Sequence, residues 1–141
     1  MTDILEFVQR HPWLIAALVA VTVLLLWSEI QRFTQKFANL SPAQLVQTMN
    51  SDSPLLLDVR ETNEVTGGVI GNARHIPLGD LGKRISELDK SRDQKVIAYC
   101  RSGNRSATAC RMLEKHNFTD VAHLQGGILA WESANLPLKG R

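Results

Sequence analysis

Cysteine is scarce in this chain: Cys100 and Cys110 are the two present in 141 residues. Cys110 is expected about one and a half turns into the helix that follows Cys100, beyond easy reach of a bond. That argues against a disulfide framework, and a free reactive thiol suits a reducing compartment. Charge of either sign is nearly balanced, with a net of +2 and no Lys/Arg-rich block. A nucleic-acid partner is therefore not expected. The four histidines, His11, His75, His116 and His123, are scattered and lack metal-ligand spacing. Each reads as a surface or packing residue, so neither a metal nor a cofactor is expected.

Charge is absent altogether from Trp13 to Trp27, fifteen residues of Trp-Leu-Ile-Ala-Ala-Leu-Val-Ala-Val-Thr-Val-Leu-Leu-Leu-Trp. A spanning helix usually needs about 20 apolar residues, with roughly 17 as the lower end. Pro12, Ser28 and Ile30 extend this run, and Pro12 suits a first helical position. Tryptophan at both ends fits the interfacial aromatic belt. A cleaved signal peptide is one rival, but Asp3 and Glu6 sit in its basic region and no Ala-x-Ala site follows. A buried core helix is the other, because the run is apolar all round. The reading adopted is an N-terminal tail and anchor over 1–30, spanning at about 12–28, then a linker over 31–40. Arg10 precedes the span, whereas Arg32 and Lys36 follow it. The positive-inside rule then tilts the C-terminal part toward the cytosol.

The soluble part reads as alternating strands and helices. Ser41-Pro42-Ala43-Gln44 has an N-cap, a proline at N1 and the last residue of a capping box. Leu45, Val46 and Met49 stripe that helix. Leu55–Val59 and Val96–Tyr99 are short apolar runs of the doubly covered type. Leu81, Ile85 and Leu88 lie at helical spacing. A helix is expected over 104–116, burying Ala107, Cys110, Met112 and Leu113. Val121–Leu124 is a further strand, and Gly126-Gly127 turns into a short helix through Trp131. This order predicts an α/β fold, a parallel sheet with helices on both faces. Ligands in such sheets bind at the carboxyl ends of strands.

Cys100 lies at one such end. The segment Cys100-Arg101-Ser102-Gly103-Asn104-Arg105-Ser106 joins a strand to a helix starting near Asn104. Backbone N–H groups of such a loop converge on one anion, and the helix adds its positive end. Arg101 and Arg105 supply two cations. Each of these lowers a cysteine pKa, and the thiolate is the nucleophile. Free cysteines are more often inert and buried. Two arginines, a glycine and two serines within six residues argue against burial in an apolar core. Ser102 and Ser106 read equally as hydroxyl donors or as loop and capping residues. Asp58 and Arg60 stand near a strand end, where a structural ion pair with Glu64 or neighbouring loops is the favoured role.

From residue 41 to 138 the chain resembles single-domain rhodaneses. Asp58-Val59-Arg60 with Glu64 resembles the family's Asp-x-Arg-x-x-x-Glu element. Gly68, Ile70, Ala73, Ile76 and Pro77 resemble the stretch that follows it. The Cys100 loop resembles the family's active-site loop, and Gly126-Gly127-Ile128-Leu129-Ala130-Trp131 its Gly-Gly-x-x-x-Trp element. Three positions depart from the pattern: Val65 for an aromatic, Val69 for His and Asn72 for Gly. With the anchor, the whole chain is similar to membrane-anchored single-domain rhodaneses of Gram-negative bacteria. The resemblance implies an inner-membrane, single-pass protein and a sulfurtransferase of the thiosulfate:cyanide type.

It also implies the chemistry. Cys100 takes the outer sulfur of a donor such as thiosulfate as a persulfide, and cyanide or a thiol then removes it. The N–H groups of 101–105 would hold the anionic states, and Arg101 and Arg105 would attract the donor. A phosphatase or arsenate reductase is a weaker alternative. Those enzymes place five residues between Cys and Arg, and here four separate Cys100 from Arg105. By resemblance the smaller ring of N–H groups suits sulfur. A tethered binding module for a membrane protein or a sulfur carrier is the alternative from another class.

Overall fold

The computed structural model describes residues 1–34 and 36–140, in two units divided at residue 35. The first unit holds helices α1 (Thr2–Arg10) and α2 (Pro12–Phe33). The 20 residues Pro12–Gln31 are long and apolar enough to cross a membrane, by length and composition. None of that stretch is buried: Leu18, Leu24, Leu25 and Trp27 are each more than half exposed. A core helix of a soluble protein is mostly buried, and this stretch is not. The polar Thr22 and Ser28 hydroxyls bond to the carbonyls of Leu18 and Leu25 within the helix.

The second unit is a five-stranded parallel sheet in the order β1-β5-β4-β2-β3. Its strands are β1 (Ala38–Leu40), β2 (Leu55–Asp58), β3 (Arg74–His75), β4 (Lys95–Tyr99) and β5 (Asp120–Leu124). Helices α3 (Pro42–Asp52), α4 (Leu78–Arg84), α5 (Asn104–Lys115) and α6 (Gly127–Ser133) connect or follow them. The 31–40 segment, read as linker, is corrected. Helix α2 runs to Phe33, and Ala38–Leu40 pairs with Ala122–Leu124 as an edge strand. Three residues are too few to show alternation, and the partner lies more than eighty residues away, so nothing local marks this strand. At the other end Lys139 bridges Val69, one residue beyond the expected boundary of 138.

Period two along the strands sorts side chains between two cores. Leu57, Val96, Ala98 and Val121 face one cluster with Leu81, Ile85 and Leu88 and with Ala109, Cys110 and Leu113 of α5. Leu56, Ile97, Tyr99, Ala122 and Leu124 face the other, with Leu45 of α3 and Ile128 and Trp131 of α6. The α5 face differs slightly from expectation: Ser106 and Ala109 are buried, whereas Ala107 and Met112 are half-buried. The helical spacing of Leu81, Ile85 and Leu88 falls on α4 followed by 3-10 turns at Ile85–Ser91, and all three residues are buried.

The start of α3 follows its sequence. Ser41 Oγ accepts from Gln44 N–H, and Gln44 Oε1 accepts from Ser41 N–H at 2.9 Å. The three departures from the family pattern are absorbed locally. Val65 and Val69 are buried, and Asn72 Oδ1 accepts from Lys139 Nζ at 2.6 Å.

Candidate active site

Cys100 immediately follows β4, on the same face as Ala98 and toward α5. Its Sγ accepts from Gly103 N–H at 3.0 Å and Ser106 N–H at 3.4 Å. Gly103 makes this turn with φ +106, which side chains rarely tolerate. Burial pushes the thiol pKa up more than any other single influence. The N–H and hydroxyl of Ser106 and the N–H groups of Gly103 and Ser102 together outweigh it, and the net direction is down. Cys110 has no such cradle, and burial pushes its thiol up. Both cysteines are free.

Two expectations about this loop are corrected. Cys100 is wholly buried and belongs to the α5-side core, despite its polar neighbours. The loop turns its polar side chains outward, leaving Arg101, Ser102 and Asn104 exposed, and folds its backbone over the sulfur. The hydrogen bonds to sulfur come from Gly103 and Ser106, with a smaller pull from the Ser102 N–H, rather than from the whole set 101–105.

Arg105 is not a free cation. Its guanidinium makes a two-pronged bond to Glu64, Nη1 to Oε2 at 2.7 Å and Nη2 to Oε1 at 2.8 Å. That hydrogen bond is the main cause that holds the Glu64 carboxyl down at about 2. Glu64 also accepts from Glu61 N–H at 2.7 Å.

Asp58 and Arg60 form a structural ion pair with each other, whereas the sequence pointed to one with Glu64 or neighbouring loops. Arg60 Nη2 stands 2.7 Å from Asp58 Oδ2, both residues buried. The same guanidinium donates to the carbonyls of Glu64 and Gly68 at 3.2 and 2.8 Å. The buried pair therefore staples the 60–68 segment that carries Glu64. Glu64 itself pairs with Arg105, not with Arg60.

A second clamp comes from α6. Ile128 N–H donates to Cys100 O at 2.9 Å, and Leu129 N–H to Arg101 O at 3.2 Å. Such close approach needs Gly127, whose φ is +59 and whose missing Cβ would strike the carbonyls of Cys100 and Arg101. Beside the loop lies a cleft of about 260 Å³, lined by Arg60, Glu64, Arg101, Leu129 and Glu132 among others.

The sequence reading missed His123. Its ring accepts or donates through Nδ1 to Ser106 Oγ at 2.9 Å and through Nε2 to Asn39 Oδ1 at 2.7 Å. Period two was the available signal: His123 pairs in register with Ala98, two residues before Cys100. Among the described residues, no group of three or more His, Cys, Asp or Glu is placed to hold a metal.

Comparison with known proteins agrees with this architecture. The family of Rhodanese-like domains matches residues 41–134. A protein of Allochromatium vinosum named Sulfurtransferase is 39% identical over 89 residues, covering 63% of this chain and 81% of that protein. YibN of Escherichia coli K12 is 28% identical over 139 residues, covering 98% of this chain and 97% of YibN. The solved structure of a rhodanese-related protein from Thermoplasma volcanium superposes with a TM-score of 0.66 at 30% identity, covering 72% of this chain and 97% of that one. The chain belongs to the rhodanese-like domain family.

Proposed function

We propose that the protein is a membrane-tethered sulfurtransferase that carries sulfur as a persulfide on Cys100. The observation that carries the reading is a thiol at a strand end, held by the N–H groups of Gly103 and Ser106 and shifted toward thiolate. The family and its sulfurtransferase-named member support it.

With thiosulfate as donor, the Cys100 thiolate attacks the outer sulfur. The S–S bond of the donor breaks, sulfite leaves with the electron pair, and Cys100 holds the persulfide. Cyanide or a thiol then attacks the outer sulfur and regenerates the thiolate. The cradle that stabilises the thiolate also stabilises the terminal anion of the persulfide. Because Cys100 is wholly covered, a donor reaches it only when the residues over the sulfur shift. An anionic donor must also compete with Glu64 for Arg105. Arg101, exposed at the cleft, is the cation met first.

Pro12–Gln31 anchors the domain in the inner membrane, with residues 41–138 on the cytoplasmic side, where a thiol stays reduced. Reporter fusions at the C-terminus test the orientation, and an external reporter overturns it. The activity is tested on the full chain in detergent by thiocyanate release from thiosulfate and cyanide. Turnover that Cys100→Ser abolishes is expected. Turnover that survives Cys100→Ser, or none in the folded wild type with any sulfane donor, overturns the reading. The second outcome favours a tethered binding module.

A further inference from the structure

His123 is a buried titratable group that sulfur transfer through Cys100 leaves unused. It is 8% exposed, and both ring nitrogens are bonded. Asn39 Oδ1 is an acceptor, so Nε2 carries the ring proton and Nδ1 of the neutral ring accepts the Ser106 hydroxyl. Ser106 Oγ is in turn 3.6 Å from Cys100 Sγ, positioned to accept the thiol proton. Four elements build this line: β1 gives Asn39, β5 His123, α5 Ser106, and the loop after β4 Cys100.

We propose that His123 is a positioning residue for Cys100, the two sharing one proton through the Ser106 hydroxyl. The inference rests on the reading of Cys100 as the nucleophile. In the thiol state S–H donates to Ser106 Oγ, and Ser106 O–H donates to His123 Nδ1. In the thiolate state the thiol proton resides on Ser106 Oγ, and the former serine proton on Nδ1. The hydroxyl then points at the sulfur anion, and Nδ1–H donates to Oγ. Total protons and charge are conserved, and no heavy-atom bond changes. Asn39 Oδ1 accepts from Nε2–H in both states. The Gly103 carbonyl, 3.0 Å from Ser106 Oγ, also accepts this hydroxyl and competes with Nδ1 for it.

Among the described residues, Arg111 of α5 is the charged side chain acting on the ring, and the Phe37 ring meets it edge-on at 5.4 Å. Ala98 flanks it from β4. Near the sulfur stand Arg105, paired with Glu64, and the Cys110 thiol. Burial, then Arg111, holds the imidazole below its ordinary range, so the ring rests neutral and the thiolate state forms against that pull, which the Gly103 backbone partly offsets.

The test titrates thiolate absorbance of the full chain in detergent micelles, subtracting a Cys100→Ser blank. His123→Gln is expected to raise the midpoint by about one pH unit, or roughly tenfold less thiolate below it. Ser106→Ala should raise it as well, and the double variant should add little to either single one. Asn39→Asp makes the ring more basic and is expected to lower the midpoint. Unmoved midpoints in folded His123→Gln and Asn39→Asp overturn the proposal. Should His123→Gln not fold, nitrogen-15 shifts of the wild-type ring decide. Protonation of Nδ1 over the pH range in which the sulfur ionises supports the relay, and a flat ring signal overturns it. Neither readout involves sulfur transfer, so failure of the relay and failure of the sulfurtransferase reading are distinguishable.

Discussion

Replacing Gly127 by alanine adds one methyl group at the point where α6 meets the Cys100 loop. Two costs follow. Gly127 sits at φ +59, a left-handed conformation that costs an L-residue roughly 1–2 kcal/mol. The new Cβ also strikes the Arg101 and Cys100 carbonyls, and relieving such overpacking costs roughly 1–3 kcal/mol. The sum is about 2–5 kcal/mol, a fall in melting temperature on the order of 10–30 °C for a domain of this size. Relief by movement pulls Ile128 N–H and Leu129 N–H away from the two carbonyls they hold, which loosens the floor under Cys100. Gly79→Ala is the control, since a Cβ there meets nothing within 4 Å and Gly79 lies in α4. Alanine in a helix gains at most about 1 kcal/mol over glycine. Thermal melts of the full chain by circular dichroism check both variants. Equal melting temperatures for Gly127→Ala and wild type would refute the claim that α6 clamps the loop.

Other perturbations bear on the ion pairs. Arg60→Met strands the buried Asp58 carboxylate and is expected to destabilise by about 3–5 kcal/mol in denaturant melts; a loss below about 1 kcal/mol shows that Asp58 finds other partners. Glu64 ionises near 2 when folded and nearer 4.5 when free, so its bond to Arg105 stabilises the fold at neutral pH and fades as pH falls from 4.5 toward about 2. The stability gap between wild type and Glu64→Gln should accordingly hold steady at neutral pH and shrink over that acid window; a gap independent of pH contradicts the pairing. Arg105→Ala should raise the KM for thiosulfate about tenfold and, because it removes Glu64's partner, lower the melting temperature about as much as Glu64→Gln does. Unchanged donor kinetics would remove Arg105 from donor binding.

Much of this molecule was legible because its signals are local. The Ser41–Gln44 capping box, the apolar runs at Leu55 and Val96, and the glycine pair before α6 each declare an element within a few residues. The loop after Cys100 declared its turn by composition, with Gly103 at φ +106 ahead of α5. What stayed hidden depends on pairing across the chain. Strand β1 exists through its partner β5, and the Glu64–Arg105 bond spans 41 positions. The covering of Cys100 followed from backbone geometry that composition does not encode. Arg101, Ser102 and Asn104 turn outward, yet the loop backbone and the buried Ser106 cover the sulfur. His123 carries no metal-ligand spacing to the other histidines, so spacing along the chain does not single it out. Its place on β5, two residues after Val121 on the α5 side, was readable from alternation alone.

The central claim is that Cys100 carries sulfur covalently. Intact mass of the full chain after incubation with thiosulfate tests it most directly, beside Cys100→Ser treated alike. The account predicts a gain of one sulfur atom, lost on adding cyanide and absent in the variant. No gain in folded wild type under any sulfane donor, or an equal gain in Cys100→Ser, would contradict it.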